Sequence, residues 1–186
     1  MSIAVKTPLS GEEASALQAG DRVMISGVIY VARDAAHKRL IDLLQAGEKL
    51  PLELAGQIIY YAGPCPAKPG QVIGSVGPTT SGRMDPYTPE LLDRGLKGMM
   101  GKGQRCKAVV DSIVKNGAVY FAALGGAGAL MAVSVKEATV VAFPELGAEA
   151  IYRLTVENFP AIVAIDSRGK DLYVCGREAW LKQAAE

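Results

Sequence analysis

The stretch Gly77-Pro78-Thr79-Thr80-Ser81-Gly82-Arg83-Met84-Asp85-Pro86-Tyr87 lies between the apolar run Val72-Ile73-Gly74-Ser75-Val76 and the helix-start signal Thr88-Pro89-Glu90. That junction constrains the fold to one in which strands hand over to helices through polar turns. Glycine and proline let the backbone turn sharply enough to aim several N–H groups inward, and three hydroxyls with the Arg83 guanidinium add further donors. Such a segment suits an anion, and Arg83 could clamp a carboxylate through two parallel hydrogen bonds. The same composition also describes an ordinary strand-to-helix loop capped by hydroxyl side chains. The rest of the chain has to choose between them.

The hand-over recurs elsewhere. Residues 22–32, rich in β-branched and aromatic types, predict a strand that runs into Arg33-Asp34. Asp34 then reads as an N-cap, with Ala36, Leu40, Leu43 and Leu44 on one helical face until Gly47 ends the pattern. Residues 57–62 predict a second strand, followed by a turn at Gly63-Pro64-Cys65-Pro66, whose prolines forbid regular pairing. Val72–Val76 predicts a short strand feeding the opening motif, and Thr88-Pro89-Glu90 starts a helix carrying Leu91, Leu92 and Leu96. Gly98-Met99-Met100-Gly101-Lys102-Gly103 reads as a glycine-flanked turn that presents Lys102. Residues 107–115, the dipeptide Asn116-Gly117 and residues 118–123 predict a β-hairpin. Gly125-Gly126-Ala127-Gly128-Ala129-Leu130 matches neither phosphate-loop spacing, because Met131 stands where a third glycine belongs, so it predicts a tight helix start or a close-packing segment. Strands are expected at 139–143, 151–157, 161–166 and 171–174, a turn at Ser167-Arg168-Gly169, and a closing helix from Gly176 to Ala185.

Composition narrows the class. Twenty-one glycines and 10 prolines in 186 residues argue against a bundle of long helices, and 49% hydrophobic with 21% charged residues suits an ordinary globular α/β chain, expected as one domain over residues 1–186. Twenty basic against 19 acidic residues leave a net charge of +1, so no overall field draws nucleic acid or an acidic membrane. No apolar run reaches membrane-spanning length and the N-terminus lacks an apolar signal core, so a cytoplasmic protein is expected. Cys65, Cys106 and Cys175 are widely spaced and form no CxxC pair; they read as reduced thiols, with no clustered spacing for a metal or iron–sulfur group.

The chemistry-bearing residues are Arg33 with His37, Arg83 and Lys102, cations at strand-to-helix junctions or glycine-flanked turns. Small dicarboxylates and phosphates both suit that pattern. His37 is the sole histidine, which excludes a polyhistidine metal site, and a packed or capping role competes evenly with a catalytic one. Asp34 reads as a cap, and Asp85 either orients Arg83 or caps its loop. Linear order supports neither a carboxylate pair for acid and base work nor a Ser/His/Asp triad.

Arg33-Asp34-Ala35-Ala36-His37-Lys38-Arg39, then Gly77–Tyr87, then Gly101-Lys102-Gly103, and finally Phe143-Pro144-Glu145-Leu146-Gly147-Ala148-Glu149-Ala150 together resemble the signature blocks of class I fumarate hydratases. The similarity is to the β subunit, or C-terminal domain, of that iron–sulfur hydro-lyase family, which includes L-tartrate dehydratase, and it spans nearly the whole chain in order. The resemblance implies a swivelling β/β/α domain with mixed sheets and helices. It further implies a separate α subunit bearing a [4Fe–4S] cluster, a dimer of heterodimers, and a C4 dicarboxylate substrate. Carried over by motif, Arg33, Arg83 and Lys102 would bind substrate carboxylates and Thr79 would serve in proton transfer, with His37, Asp34 and Asp85 as supporting residues. The cysteines of this chain would hold no cluster. Fumarate hydration is the leading expectation, with L-tartrate dehydration or a non-catalytic dicarboxylate-binding module as alternatives. An apolar face awaiting the α subunit would leave the isolated chain open to self-association.

Overall fold

The computed structural model describes residues 2–183. Its elements run β1 (Ile3–Lys6), α1 (Gly11–Ala16), β2 (Arg22–Val31), α2 (Asp34–Gln45), β3 (Ile58–Tyr60), α3 (Thr88–Asp93), β4 (Gly98–Gly101), α4 (Lys107–Asn116), β5 (Val119–Ala122), α5 (Gly128–Val133), β6 (Val135–Ala142), β7 (Ile151–Ile165) and α6 (Leu172–Gln183). Short 3-10 turns occupy Ser81–Met84 and Pro144–Glu149.

The first five strands pair in parallel, β1 with β2, β2 with β3, β3 with β4 and β4 with β5. The long β7 runs antiparallel to β5 and also to β2, so the series β2-β3-β4-β5-β7 returns to its start and closes, with β6 flanking β7. This is the mixed α/β architecture expected. Side chains alternate across a strand. In β3, Ile58 and Tyr60 join one core with Ile29, Val31, Phe121, Phe159 and Val163. Ile59 and the following Tyr61 join a second core with Leu40, Leu91 and Ile113 from the helices. Each fully buried side chain of that size contributes about 1.5–3 kcal/mol relative to exposure. Because both faces of β3, β4 and β5 are covered, these strands read as continuous apolar runs and their carboxyl ends are held rigidly in one place.

Several local expectations give way to tertiary context. Residues 107–116 form α4, not the first arm of a hairpin. Val109 and Ile113 fall four apart and are both buried under the sheet, a helical period hidden inside a β-branched run. Gly117 ends α4 at φ 58°, ψ 42°, with its N–H reaching back into the last turn. The Asn-Gly dipeptide therefore serves as a helix C-cap. Gly117→Ala is expected to destabilise the protein by about 1 kcal/mol, because a Cβ disfavours the left-handed conformation. Chemical denaturation would measure it, and an unchanged midpoint would contradict this cap.

Gly98–Gly101, read from sequence as part of a turn, is the central strand β4, and all four residues are buried. Residues 72–76 carry no strand; the chain there is held by Ser75 O accepting from Cys65 N–H (2.9 Å) and Val76 N–H donating to Gly128 O (3.0 Å). The two tail strands at 151–157 and 161–166 are one strand, β7, and the strand expected at 171–174 is instead the start of α6. That helix contains the expected one, whose last residues, Ala184 and Ala185, lie outside the described residues. The segment before α5 does pack closely, since a Cβ on Gly128 would meet Gly77 N at 2.9 Å.

Candidate active site

Neighbouring parallel strands place their carboxyl ends side by side, and β2 and β4 each lead into charged residues there. Val31 ends β2, and Arg33 and Asp34 follow at the start of α2; Gly101 ends β4, and Lys102 follows. Beyond Tyr60 and Gly101 the partners β3 and β4 part, and the segment Pro78–Ser81 threads between them. Thr79 N–H donates to Tyr61 O (2.7 Å), Lys102 N–H donates to Thr79 O (3.2 Å), and Ser81 N–H donates to Lys102 O (2.8 Å). Thr79 is thereby fixed beside Lys102 through the main chain. The wedge needs glycine at the end of β4, since a Cβ on Gly101 would collide with Ser81 Oγ.

Arg33 and Arg83 come from segments fifty residues apart in sequence and meet at Asp34. Arg83 Nε lies 2.7 Å from Asp34 Oδ1 and Arg33 Nε lies 3.2 Å from Asp34 Oδ2. Arg33 Nη2 also stands 3.5 Å from Glu149 Oε1, while Glu149 Oε2 accepts from Ala35 N–H at 2.9 Å. Partial burial works against ionisation of Asp34. The hydrogen bonds from its own backbone and from Arg33, with the Arg83 and Arg33 charges, outweigh that burial and hold its pKa below the usual carboxylate value. Asp34 is thus not the N-cap; Arg33 occupies that position, and the Asp34 carboxylate cross-links the two guanidiniums. Lys102 is exposed and makes no ion pair among the described residues. The result is two guanidiniums held by Asp34 and one ammonium with no ion-pair partner among the described residues, a donor set suited to an anion with two carboxylates.

His37 is fully buried. Its ring meets Tyr61 edge-on at 5.2 Å and Tyr87 at 6.2 Å. Nδ1 lies 3.1 Å from Arg33 O, which can only accept, so Nδ1 carries the proton and Nε2 is a buried acceptor with no partner among the described residues. Burial depresses the pKa of His37 from 6.5 to about 4. At neutral pH this residue is uncharged and packed beneath Arg33, away from solvent.

Asp85 does not face Arg83. Its Oδ1 takes Arg105 Nε at 2.6 Å and its Oδ2 accepts from Cys106 N–H at 2.7 Å. Arg105 escaped sequence reading, because a lone arginine in Gly103-Gln104-Arg105-Cys106 carries no local signal; its significance comes from a burial that only the folded chain creates. Cys65 and Cys106 are exposed and Cys175 is half-buried. Among the described residues no group of three or more His, Cys, Asp or Glu stands close enough to hold a metal. The donor set among the described residues therefore does not fit an iron–sulfur cluster. No described helix is long and apolar enough to cross a membrane.

Residues 1–176 match the family model described as Fumarase C-terminus. The chain is 42% identical over 164 residues to Fumarate hydratase 2 of Leishmania major, covering 87% of this chain and 29% of that protein. It is 43% identical over 154 residues to the anaerobic class I fumarate hydratase of Escherichia coli K12, covering 82% of this chain and 28% of that one. A Methanocaldococcus jannaschii protein provisionally named L(+)-tartrate dehydratase subunit beta is 43% identical over 171 residues, which is 89% of this chain and 88% of that protein. The chain thus spans less than a third of the length of these two fumarate hydratases.

Proposed function

From the fact that this chain belongs to the Fumarase C-terminus family, we propose that it forms the carboxylate-binding wall of a hydro-lyase acting on C4 dicarboxylates. The reaction is the reversible hydration of fumarate to L-malate. The observation that supports this reading is the joining of Arg33 to Arg83 through Asp34, with Thr79 bound through the main chain to Lys102 at the end of β4. Residues 1–186 act as one fumarase-type unit and a separate α subunit completes the site, in a dimer of heterodimers in the cytoplasm. The [4Fe–4S] cluster implied by the family resemblance is assigned to that partner.

In loss of water from L-malate a carbon-bound proton leaves, the C–OH bond breaks, and a C=C bond and water result. Charge builds on the carboxylate next to the deprotonated carbon. Arg33 and Arg83, held in place by Asp34, offer their remaining N–H groups to that carboxylate, and Lys102 takes the other end of the substrate. Thr79 Oγ1 orients or relays the proton. To act as the base itself, its hydroxyl would need the neighbouring cations to favour an alkoxide.

The alternative, L-tartrate dehydration, draws on the Methanocaldococcus jannaschii relative, which matches this chain almost end to end. The test is co-expression with a candidate α subunit, anaerobic reconstitution with iron and sulfide, and assay of fumarate, L-malate and L-tartrate. Turnover of fumarate and L-malate only in the complex is expected. Turnover by this chain alone would overturn the shared site. Turnover of tartrate alone would transfer the assignment. Binding of dicarboxylate without turnover of any substrate would leave a non-catalytic module.

A further inference from the structure

We propose that Arg105 is the positioning residue that locks the Thr79–Asp85 segment against Lys102, so that Arg83 and Thr79 face the substrate in a fixed relation to the lysine. Its catalytic consequence rests on the hydro-lyase reading above. The Arg105 side chain has no solvent exposure. Its Nε donates to Asp85 Oδ1 (2.6 Å), just past the turn that carries Arg83, and its Nη2 donates to Thr88 Oγ1 (2.8 Å), at the start of α3. Thr88 Oγ1 in turn donates to Met84 O (2.8 Å) and stands 3.3 Å from Tyr61 OH. The guanidinium lies over two rings, 5.3 Å from the Tyr61 centroid and 5.1 Å from that of Tyr120. Tyr120 OH holds the other end of the same turn, 2.9 Å from Ser81 Oγ, and bonds to Gly103 O at 2.8 Å.

The turn is therefore held at its Asp85 end by the buried Arg105 and at its Ser81 end by Tyr120, one of the two rings that Arg105 lies over. Arg105 lies three residues past Lys102, so the same cation joins both cationic segments. Isolated burial would disfavour a charge; here Asp85 and the two aromatic faces compensate it, an arrangement that a planar, delocalised guanidinium satisfies and an ammonium does not. Among the described residues the buried Nη1 has no hydrogen-bond partner.

Two measurements test this. In the full chain labelled for amide hydrogen exchange, Arg105→Lys is expected to speed exchange at Ser81, Asp85 and Tyr87 at least tenfold, with β7 amides unchanged. In the reconstituted complex, Arg105→Lys is expected to lower kcat/KM for L-malate about 30-fold or more. The double variant Arg83→Lys with Arg105→Lys should lose clearly less than the product of the two single losses, because part of the Arg105 effect runs through Arg83. Unaltered exchange in the turn, unaltered kcat/KM, or losses that multiply in the double variant would each overturn the positioning role. If Arg105→Lys fails to fold, Asp85→Asn carries the same test, since it removes the carboxylate clamp and keeps the side-chain shape. If the wild-type complex turns over none of the three substrates, the hydro-lyase reading falls, while the exchange experiment, which needs neither partner nor turnover, still decides whether Arg105 orders the segment.

Discussion

Replacing Arg83 by lysine is expected to reduce kcat/KM of the reconstituted complex by roughly 30- to 1,000-fold, about 2–4 kcal/mol of transition-state stabilisation. Arg83 is half-exposed, and its Nε is committed to Asp34 Oδ1 at 2.7 Å. Neither terminal nitrogen has an ion-pair partner among the described residues, so both remain free for a ligand. Lysine keeps the charge but has a single nitrogen, which either pairs with Asp34 or turns to the substrate. The loss should appear in kcat as well as in KM, because the charge that Arg83 stabilises develops as the proton leaves. Unchanged turnover would remove Arg83 from the site. Since the side chain stands at the surface, the folded chain should lose little stability, so the effect can be read as chemistry.

Acidification provides the second large effect. His37 has its pKa pushed down by burial from 6.5 to about 4, with Arg105 lowering it further and the Arg33 carbonyl and Asp34 opposing. Between those two values the unfolded chain binds more protons than the folded one, so stability rises with pH across the window. The contribution is fully present above about pH 6.5. It is lost as pH falls toward 4, and amounts to about 3 kcal/mol over the whole window. Urea unfolding at pH 7 and pH 5 is expected to show the wild-type chain losing about 2 kcal/mol from this source. His37→Gln, which cannot take up a proton, should show a much flatter profile. Equal pH dependence in the two proteins would mean that His37 titrates normally. Asp34 loses its tie to the arginines only at lower pH, because its pKa lies below the usual carboxylate value.

The two effects arise from groups of opposite character. Arg83 matters through what it offers to solvent and His37 through its exclusion from it, yet both are anchored to the few residues at the start of α2. Arg105 belongs to the same structure. It lies over Tyr61, whose ring also meets His37, so one aromatic residue at the end of β3 separates the buried histidine from the buried arginine.

Legibility from sequence followed the range of the physics. Thr88-Pro89-Glu90 announced α3 because capping acts over a few residues, and β2 and α2 were legible from apolar spacing. The hairpin expected across Asn116-Gly117 was not there, since that dipeptide suits a left-handed helix cap and a hairpin turn alike. Only the packing of Val109 and Ile113 beneath the sheet resolves which one forms. Gly98–Gly101 hid its strand behind two glycines that a turn would also favour. Its identity depends on β3 and β5 lying alongside, and at Gly101 on how closely Ser81 approaches.

By itself, then, the amino-acid sequence determined the α/β class, the cationic junctions at Arg33, Arg83 and Lys102, and membership of a family, because composition, local punctuation and ordered motifs are properties of the chain. Tertiary structure alone decided that Asp34 couples Arg33 to Arg83, that Asp85 serves Arg105 instead of Arg83, and that His37 is a neutral brace. Charge pairing and proton affinity depend on distance and on exclusion of water. Both are set between residues twenty to fifty positions apart, once a closed sheet has gathered its strand ends.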